Sequence, residues 1–358
     1  MNADAIAAKD GAKLIGEAHK LCADLTAARP RTYWTDLALT ALAAYAGLAA
    51  MLVADAALVR ILGGVAAVLA IYRGISFVHE VSHLRKDDVP GFKAGYNALI
   101  GVPFLVPSFM YEGVHNLHHA KSRYGTVADP EYLPLARQTL WHVAAFVAVS
   151  ALAPVGLLIR FAVLAPLSAL VPALRRATRE RFSALAINPA FRREPLTEAQ
   201  ARLWFRLEIA CAAWAMLFVG ATLAGLISWT SFGLVLLVGA GVGTLNQVRT
   251  LAAHHWENEG EEMSAAEQFL DSVTVPPPAT LPVLWAPVGL RYHALHHLLP
   301  RLPYHNLAAA HARLCELLPE TSAYHQASAP SFRSVMDRLF GELAKRRAER
   351  QAAGQPAE

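Results

Sequence analysis

Three short stretches of the chain carry histidines at spacings that suit a metal: His79-Glu80-x-x-His83 ("HEVSH"), His115-x-x-His118-His119 ("HNLHH") and His293-x-x-His296-His297 ("HALHH"). On a helix, residues three and four apart share a face, so each stretch is expected to turn its imidazoles together as a clamp. The first stretch alone is the pattern of a zinc metalloprotease helix, where two histidines grip the ion and Glu80 would activate a water. A protease of that kind needs one more ligand and leaves six histidines of the other stretches without a task. An intramembrane protease would also be expected to carry an Asp in a second membrane segment, and neither 204–227 nor 231–250 contains one. Eight clustered neutral imidazoles exceed one ion's needs and suit two transition-metal ions such as iron or zinc.

The elements that position these histidines are apolar. Hydrophobic residues make up 55% of the 358 and charged residues 17%, against about a quarter charged in a soluble domain. This is the composition of a membrane protein. A spanning helix needs roughly 20 predominantly apolar residues, and four runs meet that length, at about 34–54, 56–78, 204–227 and 231–250. They pair into two hairpins with tiny turns around Asp55 and around Ser228 to Ser231. Arginines concentrate in the inner segments, most clearly in "LRRATRERF" and "FRREP", which puts the N-terminus, the long loops and the histidines on the cytoplasmic side.

Two further apolar runs fit a span less well. "YNALIGVPFLVPSFM" (96–110) is short and holds two prolines, as a re-entrant or interfacial segment would. The run at about 140–173 is long enough to cross, but Pro154, Pro166 and Pro172 break it and Arg160 sits in its middle. A single crossing there would also separate the histidine stretches into two compartments, so it is read as interfacial helix. The expected fold is therefore all-α and integral to the membrane: four transmembrane helices in two hairpins, interfacial helices and a cytoplasmic cap bearing the histidines. Residues 1–33 form a cytoplasmic, weakly amphipathic segment that at most lies on the membrane surface. Residues 34–315 form the membrane domain, and 316–358 a C-terminal helix with a polar tail that frays after about Ala344. The three cysteines follow no disulfide or metal spacing, and the net charge of +4 suits topology and not nucleic-acid binding.

The three stretches match, in order and placement, the HxxxH, HxxHH and HxxHH boxes of the integral-membrane fatty acid desaturases, and the chain resembles that family with its hydroxylase and ketolase relatives. "HHAKSRYGTVADPEY" is similar to the continuation of the second box in bacterial members, and "HHLLPRLPYHNLAAAH" to that of the third box in acyl-lipid desaturases. The resemblance implies two iron ions ligated by His79, His83, His115, His118, His119, His293, His296 and His297, with dioxygen as co-substrate and two external electrons. A methylene has no acidic proton and no leaving group, so the oxidant must come from such a cofactor. The leading expectation is a desaturase of a fatty acyl or related lipid chain in the bacterial inner membrane. The alternative is a hydroxylase or ketolase on the same scaffold, and a non-catalytic metal-binding or transport protein is the third reading.

Glu80 is then expected to orient an imidazole. Asp129 and Glu131 are candidates for the same task, against a plain reading as a solvated turn. The segment 275–290, with Trp285 as a lid or an interfacial anchor, would help wall the channel. The chain has neither the haem pattern of a fused cytochrome b5 nor a cysteine cluster for an iron–sulfur centre, so a separate ferredoxin-like or cytochrome b5-like donor is expected. Arg175, Arg176, Arg179, Arg181, Arg192 and Arg193 offer it a docking surface, unless they only set topology and hold lipid head groups. A ninth ligand is expected at His254, because Thr250-x-x-x-His254 keeps the spacing of the Asn-x-x-x-His motif of acyl-CoA members. His255, turned about 100° away on a helix, is the weaker candidate.

Overall fold

A computed structural model describes residues 3–279 and 281–353; the first two residues of the expected N-terminal segment, Thr280 and the last five residues of the tail lie outside them. The described residues are helical, with no strand and only isolated bridges, His254 to Ser272 and Thr274 to Tyr292 and Ser328. The chain divides into two compact units, one of residues 30–115 and 148–246, the other of residues 1–29, 116–147 and 247–358.

The first of these holds the hairpins. Pro30–Val53 and Ala57–His83 pack along small residues: a Cβ on Gly47 would stand 2.7 Å from the Ala67 nitrogen, and one on Gly63 2.8 Å from that of Met51. In lipid, where neighbouring chains are as apolar as leucine, close backbone approach supplies the contact that burial supplies in water. Asp36 and Arg73 join the same two helices through a fork of two hydrogen bonds. Leu39, Leu42, Ile61 and Leu62, on the outer faces, are more than half exposed, as lipid-facing side chains would be. Glu198–Leu223 begins at a Thr197–Gln200 capping box and turns at Gly225 (φ 76°) before Trp229–Leu251. Segment 96–110 doubles back: the Asn97 amide oxygen accepts from the Ser108 backbone N–H and its amide nitrogen donates to the Ser108 hydroxyl.

The proline-rich run at Leu140–Leu170 is one helical path, and five helices, not four, have the length and apolarity to cross a membrane. Its hydrogen bonding changes at the prolines. A 3-10 stretch, Val149–Leu152, precedes Pro154, and a π stretch, Ile159–Leu164, precedes Pro166, because a proline supplies no N–H and displaces the preceding carbonyl. Arg160 is not a stray charge: its guanidinium donates to Glu208 Oε1 (2.6 Å), to the Ser183 hydroxyl (3.0 Å) and to the Phe182 carbonyl (2.6 Å). Arg175 binds the other Glu208 oxygen. A buried carboxylate between two guanidiniums offsets the desolvation that an isolated charge could not.

In the second unit, Ala3–Leu21 does more than skim a surface. Leu14, Ala18 and Cys22 are buried in protein, and Gly11 lies so close to Ala266 that a Cβ would stand 2.3 Å from that residue's methyl. The expectation of fraying after Ala344 is corrected: Phe332–Ala352 is one helix, held by Arg346 to Glu259 (3.2 Å) and by Arg350 to the Arg137 carbonyl (2.7 Å). These partners are far away in sequence, and local composition does not reveal them. Trp285 packs edge-on to Phe332, ring centroids 5.2 Å apart.

Candidate metal centre

In the hairpin unit the last two turns of Ala57–His83 carry His79, Glu80 and His83, and His115 lies on the short helix Val114–His118. The rings of His79, His83 and His115 lie 4.4 to 5.1 Å apart, centroid to centroid, and they offer nitrogens within 4.8 Å of one another. Glu80 is buried. Its Oε2 accepts a 2.5 Å hydrogen bond from Tyr33, and its Oε1 stands 3.7 Å from His79 Nδ1. Tyr111 Oη lies 3.0 Å from His115 Nδ1.

In the other unit His118, His254, His293 and His297 converge. The Nε2 atoms of His254 and His293 are 3.0 Å apart, and those of His293 and His297 3.2 Å. Two ligands of one ion at about 2.1 Å can be at most about 4.2 Å apart, so this spacing fits a shared cation. Two of the rings are held from behind. His118 Nδ1 donates to the Asp129 carboxylate at 2.9 Å, which also accepts from the backbone N–H of Gly125 and of Glu131, both at 2.8 Å. Burial works to lower the His118 pKa, but the Asp129 charge and hydrogen bond outweigh it and raise it. His254 Nδ1 donates to Tyr124 Oη (2.8 Å), whose own proton goes to Asp271 Oδ2 (2.7 Å); Tyr132 donates to Asp271 Oδ1 (3.1 Å). With Nδ1 occupied, each Nε2 keeps its lone pair for a metal. Burial lowers the His254 pKa to about 4 against the opposing hydrogen bond of Asp271, so the ring is neutral at pH 7. Burial, then the charges of His119 and His293, hold that of His297 well below the ordinary imidazole value.

Neither triplet is a single clamp. His115 meets His79 and His83, His118 meets His254, His293 and His297, and His119 pairs with His296, Nε2 to Nε2 at 2.9 Å. In the third stretch His293 and His297, at i and i+4, stay in one cluster, while His296 stands about 100° round the helix from His297; in the second, His119 lies beyond the helix end at His118. Glu131 reaches this centre through its backbone N–H, beside Asp129. His254 and His255 are not on a helix, because the helix before them ends at Leu251. In the extended chain beyond it, successive side chains alternate: His254 turns into the cluster, and His255 Nε2 accepts from Arg338 (3.1 Å). Tyr33, Tyr111, Tyr124, Tyr132 and Asp271 escape sequence reading. Tyrosines carry no metal-ligand pattern, and Asp271 lies 17 positions beyond His254. Of the proposed docking arginines, Arg175 is engaged by Glu208, and Arg193 is spent on the carbonyls of Phe109, Met110, Glu112 and Ser183.

Residues 55–329 match the fatty acid desaturase family. The chain is 47% identical to a ceramide hydroxylase of Caulobacter vibrioides (strain NA1000 / CB15N) over 348 residues, 96% of this chain and 97% of that protein. No solved structure matches it. A family match over most of the chain, together with two histidine groups whose nitrogens could hold metal, places the protein in the fatty acid desaturase family, a family of membrane di-iron enzymes.

Proposed function

We propose that the chain is a membrane hydroxylase of ceramide, inserting one atom of dioxygen into a C–H bond while two external electrons and two protons reduce the other atom to water. The observation that carries this reading is the 47% identity to a ceramide hydroxylase over nearly the full length of both proteins. It moves the balance from desaturation, the leading expectation of the sequence, to the hydroxylase alternative. The irons would supply dioxygen activation, which no side-chain acid or base can provide at an unactivated carbon. His118, His254, His293 and His297 are the proposed ligands of one iron, and His79, His83 and His115 of the other, with His119 and His296 completing the set. Asp129 and Glu80 hold imidazoles in place, as Asp271 does through Tyr124, and Glu131 supports Asp129. None of these carboxylates has to exchange a proton with the substrate.

We further infer four crossings. His118 clusters with His254, His293 and His297, so the chain between residues 119 and 253 returns to the side it left. Three candidate spans lie in that interval, an odd number, and one of them does not cross. Leu140–Leu170, interrupted twice and carrying the buried Arg160, is that segment. The arginine-rich inner loops support a cytoplasmic histidine face in a bacterial inner membrane. A separate ferredoxin-like or cytochrome b5-like donor would supply electrons, with Arg176, Arg179, Arg181 and Arg192 left exposed to meet it.

Incubating the iron-loaded protein with ceramide, dioxygen and a reducing system, then weighing the extracted lipid, tests the reading. A gain of about 16 mass units is hydroxylation and a loss of about 2 is desaturation, by the balance of one oxygen gained or two hydrogens lost. Unaltered ceramide in the presence of an active reductant would end the ceramide proposal.

A further inference from the structure

Behind the His254 group lies a cluster of three oxidisable rings. Trp256 and Tyr124 are fully buried, and Tyr132 is 2% exposed. The ring centroids of Trp256 and Tyr132 are 5.1 Å apart, and those of Tyr124 and Tyr132 5.5 Å. Trp256 stands 4.9 Å from the His254 ring, and Tyr132 5.8 Å. At such spacings aromatic rings are in contact. Trp256 takes its place at φ 63°, a left-handed conformation that a bulky residue rarely adopts, and its indole N–H is tied to the Leu251 carbonyl at 3.0 Å. Strain of this kind persists where the surrounding packing fixes the residue, and here it sets the indole edge-on to a proposed metal ligand.

The two phenols differ in what they hold. Tyr124 Oη accepts from His254 Nδ1 and gives its proton to Asp271 Oδ2, so it is committed to a ligand. Tyr132 Oη bonds to no histidine among the described residues: it donates to Asp271 Oδ1 at 3.1 Å and accepts from the Asn258 backbone N–H at 3.2 Å. Were its proton to cross to Asp271, the acid would donate back along the same bond and Asn258 would donate as before. The oxygen of an oxidised Tyr132 therefore keeps both partners with no side chain displaced.

We propose that Tyr132, with Trp256 as the ring between it and His254, is a redox-active residue. It gives one electron to the metal centre when dioxygen has oxidised that centre and no substrate C–H bond is present to react. Tyr132 loses the electron and the metal centre gains it; the Oη–H bond breaks and the proton passes to Asp271 Oδ1, leaving a neutral tyrosyl radical and a carboxylic acid. The external reductant that the proposed activity already requires returns the electron, and Asp271 returns the proton. An unused oxidant is thereby quenched on a ring enclosed from water, and the ligand histidines are spared. The inference rests on the dinuclear oxygenase reading but not on ceramide as the substrate.

The test uses the full-length, iron-loaded protein in detergent, reduced, mixed with dioxygen in the absence of ceramide and freeze-quenched for electron paramagnetic resonance. Dioxygen uptake and metal content are measured in parallel. The expected result is a tyrosyl radical whose lines narrow when the parent protein carries ring-deuterated tyrosine, a measurement that needs no substitution. The signal should be lost in Tyr132→Phe although that variant keeps both ions, and its yield should fall in Trp256→Phe. Over repeated cycles without substrate, Tyr132→Phe should also gain oxygen on the ligand histidines faster than the parent, read by peptide mass spectrometry; a residue that served packing alone would change neither readout. Dioxygen uptake with no radical in the parent overturns the proposal. So does a signal that survives Tyr132→Phe, or one that ring-deuterated tyrosine leaves unchanged. Loaded protein that takes up no dioxygen overturns the oxygenase reading and this proposal with it.

Discussion

Replacing Tyr124 with Phe removes one oxygen atom from the middle of a buried chain, His254 Nδ1 to Tyr124 Oη to Asp271 Oδ2, with steps of 2.8 and 2.7 Å. The ring stays, and with it the contacts to His118 (4.9 Å) and Tyr132 (5.5 Å), so little packing is lost. What remains to His254 Nδ1 are two longer partners, the Ser272 hydroxyl at 3.3 Å and Asp271 Oδ2 at 3.5 Å, while Asp271 keeps Tyr132. Leaving these groups partly unsatisfied costs about 1–3 kcal/mol in the metal-free protein. The larger effect falls on the metal, because His254 no longer has one tautomer and one orientation imposed on it. Outer partners of metal-bound histidines are worth about 10–100-fold in affinity, or about 1.4–2.8 kcal/mol. The assay is anaerobic loading with iron, competition against a graded chelator and metal counting per protein. Tyr124→Phe should release one of two ions at about 10–100-fold lower chelator and keep the other. Tyr132→Phe, whose hydroxyl reaches Asp271 but not His254, should change release less. Unaltered retention in Tyr124→Phe, or equal loss in Tyr132→Phe, would refute the argument that this chain holds His254 for a metal.

His254→Ala should bring metal content clearly below two per protein while His255→Ala stays near two; the reverse pattern transfers the role to His255, and no loss in either removes it. Glu208→Ala strips the shared carboxylate from Arg160 and Arg175 and should cost about 3–5 kcal/mol, read as a fall in the melting temperature in detergent that Glu208→Gln reproduces only in part; an unmoved transition would mean that the charges are satisfied elsewhere. The His311 imidazole, buried beside the Tyr324 hydroxyl at 2.8 Å, has its pKa lowered to about 4, by burial first and then by Arg291 and His325. A folded-state pKa below the unfolded value of about 6.5 gives stability that is present above pH 6.5 and is lost as pH falls toward 4. Thermal melts across that window should therefore be less pH-sensitive in His311→Gln, and equal slopes would contradict the assignment.

The apolar runs, the family likeness and the histidines proposed as metal ligands are legible in the sequence alone, because each is written in local composition or fixed spacing. Apolar runs of about twenty residues need lipid whatever their partners, and two HxxHH stretches with an HxxxH carry the family's likeness in a few residues. What spacing could not decide was which imidazole meets which. The spacing suggests that each triplet closes as a clamp, and the tertiary structure divides both: His293 and His297 keep one face, but His296 stands about 100° from His297, and His119 lies beyond the helix that carries His115 and His118. The fate of Arg160 depended on Glu208, 48 positions away, and the helix to Ala352 on an ion pair reaching back 87 positions and a hydrogen bond to a carbonyl reaching back 213. Likewise Asp271 and Tyr124 take up their places behind His254 only when segments 147 positions apart are brought together. Orientation of a ligand is set by buried hydrogen bonds, and their partners are chosen by the packing of distant segments, which no local pattern records.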